Sequence, residues 1–306
     1  MADAAVSNAQ SMMKCCENYI LIDAGANLTN KKFGRDLESV LQRAKDAGVQ
    51  KMIVPGSSVK SSKEALRLAR IYPDTIYATA GVHPHDAKSW TDECLSELRS
   101  VAECSECVAI GACGLDYNKD FSSPELQMEA FSKQIELACE VKKPLYVHER
   151  DAHEDMLRVL AKYRDSSSLS LPPVFIHSFS GNAQQARAYV QLGVYVGITG
   201  VLCKDNSEKG LQSLLVESGL PLDHLLVETD SPFLYPNARA SKLPPHVRDG
   251  LTQRSLTFLQ RYCTFQRNEP CSLPALVEMV AALLCRSPED VALATAFNAL
   301  KVFGLS

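Results

Sequence analysis

Eight short apolar runs, recurring about every 25–30 residues, constrain this chain more than anything else in it. They are Tyr19–Asp23, Lys51–Pro55, Ile76–Val82, Cys107–Gly111, Pro144–His148, Val174–His177, Val194–Ile198 and Leu225–Glu228. Near-continuous runs rich in Val and Ile suit parallel strands buried on both faces, whereas half-solvated antiparallel strands alternate apolar with polar. The intervals read as amphipathic helices. Phe33–Ala47 puts Leu37, Val40, Leu41 and Ala44 on one stripe, and Leu126–Glu140 does the same with Met128, Phe131, Ile135 and Ala138. Asp151–Tyr163, Asn182–Leu192, Gly210–Ser218 and Gly250–Tyr262 follow the period more loosely. Eight strand–helix units predict an α/β fold, a closed (β/α)₈ TIM barrel, which fills roughly 250 residues. The chain has 306. Leu273–Cys285 and Pro288–Phe303 are predicted as extra C-terminal helices capping the barrel. No G-x-G-x-x-G follows a strand, which argues against a dinucleotide fold. Residues 1–18 read as a flexible leader with neither a signal core nor an Arg, and residues 19–306 as one barrel domain.

The net charge of −4 excludes a protein that coats nucleic acid through bulk positive charge, though not one that grips phosphates through metal ions. Eleven cysteines without regular spacing point to a reducing, intracellular compartment; cytoplasm and nucleus are not distinguished. The lone Cys104-x-x-Cys107 pair reads as ordinary thiols. No apolar run is long enough to span a membrane, and nothing calls for an obligate protein partner.

In a parallel barrel the active site lies where strands end. Those ends read Asp23 with Gly25 and Asn27, Gly81-Val-His-Pro-His-Asp86, Gly111-Ala-Cys-Gly-Leu-Asp116, His148-Glu-Arg-Asp151, His177-Ser-Phe179 and Glu228-Thr-Asp-Ser-Pro232. Three of the seven histidines, His83, His148 and His177, fall at strand ends, with His85 adjacent. One strand-end histidine is more often structural than a ligand; three that converge on one mouth with Asp230 suit Zn²⁺, Mn²⁺ or a similar divalent ion. Asp230 is the better ligand of the Glu228/Asp230 pair, which shares one side of the strand if the strand continues that far; Glu228 would orient a neighbour. Arg150 suits a phosphate oxygen. His153 lies one helical turn beyond His148. His224, before the last strand, reads as structural, and His246 sits in an irregular loop. Arg267-Asn-Glu-Pro270 would seal either the site or the barrel floor.

Read in order, I-D-A-G-A-N-L-T (Ile22–Thr29), G-V-H-P-H-D (Gly81–Asp86), A-I-G-A-C-G-L-D (Ala109–Asp116), V-H-E-R-D-A-H (Val147–His153), I-H-S-F-S-G (Ile176–Gly181), Y-V-G-I-T-G (Tyr195–Gly200), E-T-D-S-P (Glu228–Pro232) and R-N-E-P (Arg267–Pro270) resemble the TatD family of metal-dependent deoxyribonucleases. The resemblance covers about residues 19 to 304. It implies a TIM barrel, one or two divalent ions (Mg²⁺, Mn²⁺ or Zn²⁺), and 3′→5′ exonucleolytic hydrolysis of single-stranded or damaged DNA, in DNA degradation or repair. It further implies His148, His177 and Asp230 as metal ligands. His83 and Asp230 are expected in the chemistry, and His85, Arg150, His153 and Asn27 against substrate.

Two departures stand out. Many family members open with D-x-H-x-H; here Gly25 and Asn27 replace both histidines, as in one branch of the family. The family's G-E-x-G-L-D has a metal-bridging Glu where this chain has Ala112, and a methyl group cannot coordinate. Ala112 is therefore an engineered inactivating substitution or a natural loss, and the intact surrounding motif favours the first. Two other readings compete: a metal-dependent hydrolase of small amides or esters on the same fold, and a DNA-binding relative that has lost turnover.

Overall fold

A computed structural model describes residues 19–305, except 205 and 218. The leader expected over residues 1–18 lies outside the described residues. Eight parallel strands pair in chain order: β1 Leu21–Asp23, β2 Val49–Val54, β3 Ile76–Ala80, β4 Cys107–Asp116, β5 Leu145–Arg150, β6 Val174–His177, β7 Tyr195–Ile198 and β8 Leu225–Val227. The ring closes where the Ala24 N–H donates to Val227 O (3.1 Å) and Ala26 bridges Ser231 in parallel. This is the expected (β/α)₈ barrel. The strand runs were placed to within a few residues, with one consequential exception. β4 continues five residues past Gly111 to Asp116, every one of its residues buried.

The helices are α1 Leu37–Asp46, α2 Val59–Ile71, α3 Asp92–Ala102, α4 Pro124–Val141, α5 His153–Arg164, α6 Ala183–Gln191, α7 Leu211–Val216, α8 Pro245–Asp249, α9 Gln253–Tyr262, α10 Leu273–Leu284 and α11 Pro288–Phe303. Their starts are chemically marked. Ser58 and Ser61 form a capping box on α2, as do Asn182 and Gln185 on α6. Proline follows a serine cap at Pro124 and Pro288. Three helices, α2, α3 and the short α8, escaped the sequence reading. The buried stripe of α2 is Ser62, Ala65, Leu66, Leu68 and Ala69, whose small and polar members dilute the apolar period. His246 lies on the short helix α8 and not in an irregular loop. No single helix among the described residues is long and apolar enough to cross a membrane.

The barrel interior is a packed core closed from below by the last helix. Tyr146 meets Phe175 edge-on (5.2 Å between ring centroids), and Phe303 of α11 meets Phe175 likewise (5.8 Å). The Asn298 amide of α11 donates to Leu222 O and Leu225 O, both at 2.8 Å, which fixes the floor. His224 stacks on Tyr195 at the entrance to β8. Chemistry is thereby confined to the other end.

The Arg267–Pro270 segment backs that other end. Asn268 donates from its backbone to Pro232 O (3.0 Å) and from its side chain to Thr229 O (3.1 Å). Glu269, 1% exposed, anchors the segment between Arg43 (2.8 Å) and Arg267 (2.6 Å). Removing one partner of a buried ion pair strands the other charges. Glu269→Ala should therefore cost about 3–5 kcal/mol in urea unfolding.

Candidate metal centre

β-Register gathers the histidines. His148 pairs directly with His177 across β5–β6, and Gly114 and Asp116 of β4 pair with His148 and Arg150 of β5. The His83 ring lies 4.6 Å from that of His148 and 4.4 Å from that of His85. His148 and His177 are 5.5 Å apart. Asp116 is the hub: its Oδ2 is 2.7 Å from His85 Nε2 and 3.1 Å from His148 Nε2. Those two histidines and Asp116 offer ligand atoms all within 4.8 Å of one another. The flanking imidazoles hold Asp116 well below the usual carboxylate range against the opposing effect of burial.

A second group faces it from β6 and β8. Glu228 is fully buried; its Oε1 accepts from the Ser178 N–H, and its Oε2 lies 3.3 Å from the Tyr146 hydroxyl and 3.6 Å from His177 Nδ1. Burial pushes Glu228 up to about 8 and Asp230 up to about 7, with His177 opposing the shift at Asp230. The strand does not reach Asp230. β8 stops at Val227, and Asp230 sits in the left-handed region (φ 47°) with its N–H on Gly25 O (2.8 Å). A turn, and not the alternation of an extended strand, sets the pair. Asp23 braces the turn, accepting from Thr229 N–H (2.9 Å), Thr229 Oγ1 (2.5 Å) and Gly25 N–H (3.2 Å).

These donors suit a divalent cation. Burial holds His83, His148 and His177 below the usual imidazole range, hence neutral, the ligating form. The buried Nδ1 of His177 has no hydrogen-bond partner. Three carboxylates, the buried Asp23 and Glu228 and the half-buried Asp230, are all raised by desolvation, and a cation beside them would offset that cost.

The other expected residues distribute as follows. His85 sits within the His/Asp cluster itself. Asn27 is at the mouth, its N–H on Ser231 O (2.8 Å) and its side chain accepting from Thr29 Oγ1 (3.0 Å). Arg150 is exposed at the end of β5, with no ion pair among the described residues. His153 is not brought into the cluster; its ring packs edge-on against Tyr189 (4.9 Å). Cys104 and Cys107 share no site, since Cys107 is buried and Cys104 contacts Arg70. Sequence reasoning missed Asp116 because it ended β4 too early. The conspicuous G-L-D at the end of that motif was the available signal.

A model described as TatD related DNase matches residues 22–304. The chain belongs to the TatD-related DNase family. It is 37% identical over 285 residues to the 3′-5′ ssDNA/RNA exonuclease TatD of Erwinia tasmaniensis, covering 93% of this chain and 100% of that one. It is 39% identical over 283 residues to the protein of that name from Salmonella typhimurium, covering 92% and 98%. Among solved structures, a TatD homologue from Escherichia coli superposes with TM-score 0.78 at 27% identity, over 94% of this chain and 98% of that one. A TatD-family hydrolase from Entamoeba histolytica shares the fold at TM-score 0.79, 22% identity and 94% and 99% coverage.

Set in this TatD frame, the two departures differ physically. A Cβ at Gly25 would overlap the Glu228 carboxylate and the Tyr146 hydroxyl. The space of a β1 side chain is therefore already filled by a carboxylate from β8. Ala112 is 4% exposed, belongs to the same buried apolar cluster as Ala24 and Tyr146, and has its N–H on Gly56 O (2.6 Å). No described side chain is seen to take over a carboxylate's role there. Gly25→Ala, which overpacks the Glu228–Tyr146 pair, should lower stability by about 1–3 kcal/mol in thermal or urea unfolding.

Proposed function

We propose that this TatD-family chain is built as a divalent-metal-dependent exonuclease that hydrolyses phosphodiester bonds of single-stranded DNA from the 3′ end. The carrying observation is the gathering of neutral imidazoles and buried carboxylates at one barrel mouth, in a chain more than a third identical to 3′-5′ ssDNA/RNA exonucleases. His85, Asp116 and His148 would hold a cation on one side, and His177, Glu228 and Asp230 on the other, which makes room for one or two ions of the Mg²⁺, Mn²⁺ or Zn²⁺ type. When bound, such an ion supplies Lewis acidity toward a phosphoryl oxygen and acidifies water.

The chain's own residues supply the rest. His83 Nδ1 accepts from the His85 N–H (3.2 Å), so the neutral ring carries its proton on Nε2. That N–H is a donor for a non-bridging phosphate oxygen. Arg150, free of carboxylates among the described residues, presents a guanidinium fork to a neighbouring phosphate. Asp230, held at the mouth by the turn that puts its N–H on Gly25 O, is the group placed to take a proton from attacking water. Asn27 lines the same mouth. The eleven irregularly spaced cysteines support an intracellular location, which accords with this substrate.

The methyl group of Ala112 favours a second reading, in which the chain binds nucleic acid without cutting it. A degradation assay on a single-stranded oligonucleotide separates the two. Groups that merely orient metal ligands are worth about 10–100-fold. Ala112→Glu should thus raise Mg²⁺- or Mn²⁺-dependent cleavage by at least about 100-fold, and EDTA should abolish it. Binding without cleavage in both forms would leave the second reading standing.

A further inference from the structure

The carboxylate that organises the His cluster also builds the loop beside it. Asp116 gives Oδ2 to the two histidines and Oδ1 to the backbone N–H groups of Asn118 (2.9 Å) and Lys119 (3.1 Å). Just beyond, Ser122 is pinned on three sides. Its hydroxyl donates to His85 O (3.0 Å) and accepts from the Lys88 N–H (3.1 Å), and its carbonyl accepts from the Gln127 amide (2.8 Å). Phe121 lies between these anchors. It is 53% exposed, yet its ring meets the His85 ring edge-on at 4.8 Å. Of the exposed large apolar side chains among the described residues, it alone makes a ring contact with a residue of the His/Asp cluster.

A buried phenylalanine would serve packing; a half-exposed one held by a pinned backbone on both sides is a preorganised flat surface. Aromatic side chains next to a phosphate-handling site are how proteins hold unpaired bases, because every base has a π-face. Across the mouth, Phe233 is 45% exposed after β8, half a barrel away from β4 in the strand order, with Lys32 Nζ 5.8 Å from its ring. A strand laid over the centre would meet an aromatic ring at each rim.

We propose that Phe121 stacks on a base flanking the scissile phosphate, and so fixes the register of the strand over the metal centre. This rests on the reading of the site as one for single-stranded nucleic acid. The test is a double-substitution cycle on binding. Single-stranded DNA oligonucleotides labelled at the 5′ end, with a phosphorothioate at the last linkage to block turnover, are titrated with the chain in Mg²⁺ and followed by anisotropy. They carry either a full 3′ end or an abasic site at the last or the second-last nucleotide.

Base–aromatic stacking corresponds to roughly five- to 150-fold in Kd. Removing the base at one of the two positions should weaken binding by that factor with Phe121 present and by less than about twofold in Phe121→Ala. Phe121→Tyr should keep the effect. Phe121→Leu, which retains an apolar contact with His85 but has no π-face, should lose it. Equal costs of base removal in all four proteins, with binding intact, would overturn the assignment of Phe121 alone. Absence of binding by the parent chain to any of these oligonucleotides would instead overturn the nucleic-acid reading and this proposal with it.

Discussion

One buried carboxylate at the β1–β8 seam sets the geometry on which the site depends. Asp23 is fully buried and accepts three hydrogen bonds, two of them from Thr229. Burying a charge-capable group is costly unless it is well partnered. Here the partners are the backbone and side chain of the residue just before Asp230. The seam therefore closes the barrel and fixes the turn that brings Asp230 to the mouth. From the other side, Asn268 holds Thr229 O, and Glu269 holds the Asn268 segment between two arginines. The left-handed backbone at Asp230 is a conformation a non-glycine residue adopts only when its surroundings enforce it. The enforcing contacts come from both sides of the turn.

A second carboxylate ties the histidine cluster to the loop beside it. Asp116 divides its two oxygens between the imidazoles and the loop that carries Phe121. Loss of its charge would loosen the two together. Under the proposed function such coupling would put a ligand and a substrate contact on one rigid element, where positional tolerance is small.

The fold was legible because barrel strands buried on both faces leave uninterrupted Val/Ile runs, and eight of them admit few topologies. The histidines were legible because strand ends converge. Asp116 was not, because β4 keeps its strand conformation through Gly111, Ala112 and Gly114, a stretch too small and glycine-rich to look like a strand. The placement of Glu228 and Asp230 was readable only as an alternation argument, and the chain turns instead. Helix α2 was invisible as a periodic signal because Ser62, Ala65 and Ala69 dilute the two leucines of its buried face. The setting of Phe121 rests on local bonds within residues 116–127 together with long-range bonds of Ser122 to His85 and Lys88, and the latter leave no trace in the local sequence pattern.

The two departures from the family pattern have different consequences because one space is filled and the other is not. At residue 25 the missing side chain is matched by the inward placement of Glu228, held by Ser178 and Tyr146, so carboxyl oxygens stand where that side chain would lie. A side chain restored there would have to displace the Glu228 carboxyl and the Tyr146 hydroxyl. At residue 112 stands a buried methyl, which offers no ligand atom. Under the proposed function the packing around Gly25 accommodates the first departure, whereas the second would leave out a carboxylate whose charge His83, His148 and His177, held below the usual imidazole range by burial, do not replace.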